Sequence, residues 1–196
     1  VGDRWPPGYR SRVLGEYGMA PWGKARHADL VLPPVPHLRT SFTLDAPARR
    51  AVLYGTALGN VDFHVNGARV ADARFTPGWT DYPTRVPYRA YDVTDRLRAG
   101  ENVLGALLAD GWYSGYIGWG RRRDHYGRLP RLRAMLRIEL ADGSVRTVVS
   151  DPEWRAAVGA VREADVLMGE HHDAPLELAG WDAPGLDATT WDRVDV

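Results

Sequence analysis

The sequence of 196 residues contains no cysteine, and this absence excludes several kinds of chemistry. Without a thiol, the chain can form no disulfide, no cysteine nucleophile and no cysteine-ligated zinc or iron–sulfur centre. Cysteine-free chains occur on both sides of a membrane, so cysteine usage assigns no compartment to this chain.

Long apolar runs and an excess of charge of either sign are also missing. No stretch approaches 18 consecutive apolar residues, which excludes a membrane-spanning helix. The 25 basic residues balance 25 acidic ones. A neutral chain gives no electrostatic reason to bind nucleic acid or an anionic membrane, so we expect neither as a partner. The first residues show neither an initiator methionine nor a signal-peptide pattern, which indicates a piece of a longer protein.

The motifs by which many enzymes are recognised are absent as well. The chain has no GxSxG, no P-loop and no HExxH sequence. Its carboxylates could supply a glycosidase pair, but such a pair is defined by a separation in space, and nothing in the sequence selects two of them. We therefore expect no catalytic residue in this chain, and an independent enzyme is the least favoured alternative.

Glycine and proline are abundant, with 21 and 14 residues, which favours many turns and short strands. The dipeptides Asn66-Gly67 and Asp142-Gly143 predict tight hairpins. One helical turn is predicted at 94–98, with Thr94 as its N-cap and Gly100 as its stop. Apolar alternation or a continuous apolar run predicts strands at 40–44, 50–58, 61–65, 86–93, 103–108, 132–140, 145–149 and 161–168.

These patterns predict an all-β domain, an antiparallel β-sandwich, over residues 38–196. Residues 1–37 are irregular and rich in proline, so we expect a lead-in that lies over the surface or adds an edge strand. The aromatic residues are 8 Trp and 9 Tyr against 3 Phe. Trp and Tyr join a flat apolar face to a polar group, which suits a sugar-binding surface as well as a sandwich core.

Several segments resemble a known family. The hairpin sequence NGARV followed by YDVTDRLRAGENVL is similar to the jelly-roll, galactose-binding-domain-like modules that accompany many glycoside hydrolases. The segments LYGTALG, FTPGWTDY, LADGWYSG and MGEHHDA, in this order, resemble the N-terminal β-domain of bacterial α-L-rhamnosidases of glycoside hydrolase family 78. In the closing segment, the resemblance implies that Trp181 and Trp191 pin the C-terminal strand onto the sandwich.

The resemblance implies a function without catalysis in this chain. Hydrolysis in that family takes place in a separate (α/α)₆ barrel, so this chain would be an accessory domain of an inverting α-L-rhamnosidase. Such a domain would bind terminal L-rhamnose, or glycans that contain it, and some members do so through bound calcium. The alternative is a purely structural domain that packs on the catalytic barrel and on other β-domains of the same polypeptide and helps to shape the substrate cleft.

Two loops carry the candidate sugar-binding residues. The loop 110–119 interleaves aromatic residues with glycines, which allow close approach of a ligand; the second loop, 77–82, combines an indole with a carboxylate. The alternative for Trp112 and Tyr113 is that they cap the core. The candidate carbohydrate contacts are Trp79, Asp81, Asp110, Trp112, Tyr113, Tyr116 and Trp119.

Metal ligands and a run of positive charge are further candidates in the sequence. Calcium takes carboxylate and carbonyl oxygens, so Asp81 and Asp110 are its candidate ligands. In the segment 169–174, His171 and Asp173 share one side of an extended chain, so a zinc site would need His64 or His125 as well; a hydrogen-bonded strand end with a buried Glu170 or Asp173 is favoured. The arginines at 121–123 predict a solvated loop.

Overall fold

The computed structural model describes residues 32–118 and 123–195, and these residues form an antiparallel β-sandwich of jelly-roll type. No helix among them is both long enough and apolar enough to cross a membrane. The strands are β1 (Pro36–Leu44), β2 (Ala48–Leu58), β3 (Asn60–Val65), β4 (Ala68–Arg69), β5 (Arg89–Asp92), β6 (Gly100–Ala109), β7 (Arg131–Leu140), β8 (Val145–Val149), β9 (Arg155–Val158), β10 (Val161–Asp165), β11 (Gly169–His172) and β12 (Asp192–Arg193).

Two sheets make the sandwich. One has six strands in the order β12-β9-β1-β6-β3-β4, and the other has four in the order β5-β2-β7-β8. A separate hairpin joins β10 to β11. Every pairing is antiparallel, as in the register Leu53 to Leu136 between β2 and β7.

The core lies between the two sheets because apolar residues alternate along each long strand. In β2, Ala51, Leu53, Gly55 and Ala57 face inwards and are buried, while the residues that alternate with them are partly exposed. Strand β6 is buried from Asn102 to Ala106 and again at Leu108, as its continuous apolar run predicts. The largest core side chains that are fully buried are Trp154, Leu44, Leu53, Leu104, Leu136 and Ile138.

The outer face of the six-stranded sheet is covered by residues 174–191, here called the C-terminal strap. Trp181 of the strap lies between the rings of His37 and His64, at centroid distances of 4.8 and 4.9 Å. The guanidinium of Arg39 donates to the carbonyl of Leu186 at 3.0 Å. Of the two tryptophans expected to pin the C-terminal strand, these contacts agree with the expectation for Trp181.

Several predicted elements differ from the structure. The predicted strand at 86–93 is reduced to β5, and the predicted strand at 161–168 ends at Asp165 with β10, because residues 166–168 form a turn that leads into β11. The helical turn is a short 3-10 segment, Thr94–Arg96, and its N-cap is Val93 with no side-chain cap bond. Thr94 Oγ1 instead accepts the backbone N–H of Ala51 at 2.9 Å, which ties the turn to β2. The prediction that Thr94 caps this turn is wrong.

Candidate functional site

A cluster of aromatic side chains lies at the end of the sandwich where β6 ends and β7 begins. A short helix, Gly111–Ser114, follows β6 directly and carries Trp112 and Tyr113. The loop between β4 and β5 brings Trp79 and Tyr82 to the same place, and Tyr126 comes from the segment before β7. We call these five residues the aromatic cluster.

The outer part of the aromatic cluster is a stacked pair of indoles. The rings of Trp79 and Trp112 are 5.1 Å apart at their centroids and 17° from parallel. Trp79 is 57% exposed, and its Nε1–H donates to the hydroxyl of Tyr126 at 3.1 Å. The pair therefore presents an exposed indole whose orientation is held on two sides.

The inner part is a group of three tyrosines. Tyr82 is buried and meets Tyr113 and Tyr126 edge-to-face, at centroid distances of 5.1 and 4.9 Å. Edge-to-face pairs of this kind add stability beyond the area that they bury. The absence of a side chain at Gly127 makes room for Tyr113, because a Cβ there would lie 2.2 Å from its hydroxyl. Tyr113 also stacks on Tyr126 at a centroid distance of 6.4 Å, so it packs against the tyrosine that accepts the hydrogen bond of Trp79.

Gly111 allows the short helix to lie close to the start of β3. Its φ is +52°, and a Cβ at this position would come within 2.7 Å of the backbone nitrogen of Asn60. A side chain here would meet both a strained φ and a clash with backbone. Gly111 is therefore required for packing of the short helix against β3.

Asp110 is buried beneath the cluster and is paired with Arg123. Its Oδ2 accepts from Arg123 Nη2 at 2.6 Å, and its side chain is only 1% exposed. Burial raises the pKa of Asp110 to about 6, although Arg123 acts in the opposite direction. Sequence reasoning placed Arg123 in a solvated loop; that prediction is wrong, because its guanidinium is largely buried and balances Asp110.

Tyr116 is buried rather than presented at the surface. The guanidinium of Arg123 lies 5.7 Å from the centre of its ring. Its backbone N–H donates at 2.8 Å to Asp165 in β10, whose other oxygen accepts the N–H groups of Leu167 and Met168. In this conformation Tyr116 fastens the loop to the β10–β11 hairpin, and its ring is not available to a surface ligand.

The remaining predicted contacts separate into two groups. The structure brings Trp79, Trp112 and Tyr113 together in one cluster, with Asp110 beneath it. Asp81 is exposed on the loop that carries Trp79, and its carboxylate accepts from Thr84 Oγ1 at 2.6 Å. Trp119, with Arg121 and Arg122, lies outside the described residues. Sequence reasoning missed Tyr82 and Tyr126, although Tyr82 stands three residues after Trp79.

Calcium fits the described residues poorly. Three buried oxygens near the helix, Asp110 Oδ1, Ser114 Oγ and Asn60 Oδ1, have no hydrogen-bond partner among the described residues. Calcium binds oxygen ligands, but the charge of the Asp110 carboxylate is already balanced by Arg123. The Asp81 carboxylate accepts a hydrogen bond from the hydroxyl of Thr84. The described residues contain no group of three or more His, Asp or Glu side chains that could hold a metal ion.

The segment 169–174 is arranged differently from its prediction. His172 Nε2 lies 2.7 Å from Glu177 Oε1, while His64 lies 2.7 Å from Asp182 under the strap. Glu170 is exposed and Asp173 is only partly buried, so the expectation that one of these two carboxylates is buried is wrong. The buried carboxylates of this hairpin are Glu163 and Asp165 in β10.

Fold and site together define a class of protein: a jelly-roll β-sandwich domain with a surface aromatic cluster at one end. Residues 46–196 match the family model described as the alpha-L-rhamnosidase N-terminal domain. The chain belongs to that family, as its sequence motifs indicate.

Curated relatives agree with this assignment. The chain is 43% identical over 189 residues to an alpha-L-rhamnosidase of Streptomyces avermitilis, covering 95% of this chain and 18% of that protein. It is 37% identical over 160 residues to an alpha-L-rhamnosidase of Alteromonas sp., covering 81% of this chain and 17% of that protein.

Solved structures give the same result. The alpha-L-rhamnosidase of Streptomyces avermitilis complexed with L-rhamnose matches with a TM-score of 0.82 and 44% identity, over 91% of this chain and 17% of that one. The alpha-L-rhamnosidase of Aspergillus terreus matches with a TM-score of 0.80 and 35% identity, over 83% of this chain and 19% of that one. The chain thus spans less than a fifth of the length of these relatives.

Proposed function

We propose that this chain is a non-catalytic sugar-binding domain of a longer α-L-rhamnosidase, and that the aromatic cluster takes a terminal L-rhamnose. One observation carries the proposal: an exposed indole, Trp79, is held in place by Trp112 and Tyr126 rather than turned into the core. An indole face packs well on the C–H face of a pyranose.

The fixed geometry of Trp79 supports binding because an ordered side chain has little entropy to lose. A free indole on a loop would have to be immobilised when the sugar binds, at a cost of about 0.5–1.5 kcal/mol. Here stacking and a hydrogen bond have already immobilised it. Asp81, on the same loop, is an exposed acceptor for sugar hydroxyls.

The choice of L-rhamnose as ligand comes from the relatives. The Streptomyces avermitilis enzyme was solved with L-rhamnose, and the domain that matches this chain is part of that enzyme. Since Arg123 balances Asp110, we propose binding that needs no calcium. The alternative is a calcium ion held by Asp81 and Asp110, which would make sugar binding depend on calcium.

Calorimetric titration of the 196-residue chain with L-rhamnose, once with calcium and once with EDTA, tests the proposal. We expect heat in both, with a Kd between roughly millimolar and tens of micromolar. Trp79→Ala should weaken binding at least about tenfold, which is ~1.4 kcal/mol, with little change in Tm because the residue is exposed. Phe75→Ala is the matched control, since Phe75 is 58% exposed on the same loop.

Each other result would contradict part of the proposal. If L-rhamnose gives heat only in the titration with calcium and none in the titration with EDTA, the site depends on a metal ion. No heat from a folded sample would favour the purely structural alternative, in which the domain packs on a catalytic barrel. An equal loss of affinity in Trp79→Ala and Phe75→Ala would show that the indole pair is not the binding surface.

A further inference from the structure

The outer face of the four-stranded sheet carries an exposed apolar stripe that runs from the residue before β5 across β2 and β7 to β8. Tyr54 in β2 is paired in register with Met135 in β7, which is paired with Val149 in β8. On the other side, the ring of Tyr88, which precedes β5, lies 6.3 Å from that of Tyr54. Tyr88, Met135 and Val149 are 66%, 41% and 42% exposed. We call these four residues the apolar stripe.

Arginines border the apolar stripe. Alternation along β7 places Arg131, Arg133 and Arg137 on the same face as Met135, and all three are exposed. Arg137 is paired with Glu139, which also accepts from Arg49 at 3.0 Å. In a chain of zero net charge, this face is locally positive.

This composition is typical of a protein interface. Tyrosine, methionine and arginine are enriched in interfaces relative to the rest of a protein surface, and tyrosine and arginine are frequent hot spots. With strands about 4.8 Å apart and about 3.4 Å per residue, the four strands offer roughly 500 Å². Doubled for two partners, this area falls within the range of contacts between domains of one chain.

Charge decides between the possible occupants. A second copy would bring an identical set of arginines against this face. Residues 1–31 of the chain contain five basic and three acidic residues, so they too are positive. An occupant with acidic residues around an apolar centre complements the face in both respects. The relatives are more than five times as long as the part matched here, which leaves ample polypeptide to supply such an occupant.

We propose that the outer face of the four-stranded sheet docks an acidic, partly apolar surface of another domain in the same longer polypeptide. This inference rests on the proposal that the chain is one domain of a longer α-L-rhamnosidase. It does not depend on the aromatic cluster, because the apolar stripe and the cluster share no residue.

Variants in the intact polypeptide and in the 196-residue chain test the inference. Met135→Glu removes an apolar contact from the centre of the stripe, and Leu176→Glu is the matched control, since Leu176 is 43% exposed but lies in the C-terminal strap. The measurement is the rate of limited proteolysis between this domain and the next. We expect Met135→Glu to raise that rate at least about tenfold in the intact polypeptide, and Leu176→Glu to leave it unchanged. In the isolated chain, both variants should keep the Tm of the unsubstituted chain.

Three results would overturn the inference. Equal proteolysis of the two variants would show that the face is not docked. A fall in Tm for Met135→Glu in the isolated chain would show that residues of this chain cover the face, and concentration-dependent dimerisation of that chain through the same face would show a second copy. Titration of both variants with L-rhamnose separates this proposal from the sugar site, because neither variant changes the aromatic cluster.

Discussion

At the scale of single residues, burial decides what Asp110 does. From the sequence, a carboxylate beside aromatic residues predicts a contact with sugar hydroxyls or calcium. In the structure its side chain is almost fully buried, and its nearest cation is Arg123 at 2.6 Å. The pairing spans 13 positions of the chain and passes through a loop, so no local sequence pattern could predict it. The Asp110 side chain therefore joins the end of β6 to Arg123 and is closed to a surface ligand.

The pH dependence of stability tests the burial of Asp110. Burial raises its pKa to about 6, whereas an unfolded aspartate titrates near pH ~4. A raised pKa contributes stability that is fully present below pH ~4 and is lost as the pH rises through about 6, by at most ~3 kcal/mol. Relative to the unsubstituted chain, Asp110→Asn should therefore gain free energy of unfolding between pH 4 and pH 7, measured by urea denaturation at both values.

The same comparison can contradict this explanation. If Asp110→Asn loses stability relative to the unsubstituted chain as the pH rises, the ion pair with Arg123 contributes more than burial costs, and the pKa of Asp110 lies below its ordinary value. Arg123→Lys is the useful second variant, because it keeps the charge but not the planar guanidinium over Tyr116.

At the scale of elements, long strands are predictable from sequence and short ones are not. Strands β2 and β7 have ten or more residues each, and both are predicted; the residues of β7 also favour a helix, but the Asp142-Gly143 turn that follows them indicates a strand. Strands β9 and β12 have four and two residues, too few for a periodic signal, and they form because β1 and β9 offer them a partner edge. The hairpin of β7 and β8, which turns at Asp142-Gly143, was predicted correctly because the residues that favour the turn are adjacent in sequence.

The packing of the C-terminal strap on β6 can be tested at Gly105. A Cβ on Gly105 would lie 2.7 Å from the ring of Trp181, so the residue leaves space for the indole. We expect Gly105→Ala to lower the free energy of unfolding by ~1–3 kcal/mol, as overpacking does. In a Trp181→Ala background the same substitution should cost much less, because the clashing ring is gone. Guanidinium unfolding of the four chains gives the coupling free energy.

The double-mutant comparison can also show that Trp181 is not the source of the strain at Gly105. If Gly105→Ala costs the same with and without Trp181, the glycine is required by the backbone of β6 and not by the strap.

The C-terminal strap also buries His37 beneath Trp181. This burial lowers the pKa of the His37 imidazole to about 4. Its neutral form is therefore the one that the folded strap accommodates.

At the scale of the whole molecule, sequence reasoning reached the fold class but only part of the site. The all-β sandwich follows from turn residues and alternation, and the order of the family motifs identifies the family. The aromatic cluster could be predicted in part, because Trp79, Trp112 and Tyr113 lie in the two loops singled out. Tyr126 reaches the cluster from another segment, and the burial of Tyr116 depends on Asp165, 49 positions away. These contacts follow from tertiary packing.

The most direct test of the sugar site is the indole N–H region of a ¹⁵N-labelled NMR spectrum during titration with L-rhamnose. The chain has 8 Trp, and individual Trp→Phe variants assign their signals. We expect saturable shifts at Trp79 and Trp112, and none at Trp154, whose buried indole donates to the carbonyl of Val149. Saturable shifts confined to other indoles, or no shift at any of them with a folded chain, would contradict binding at the aromatic cluster.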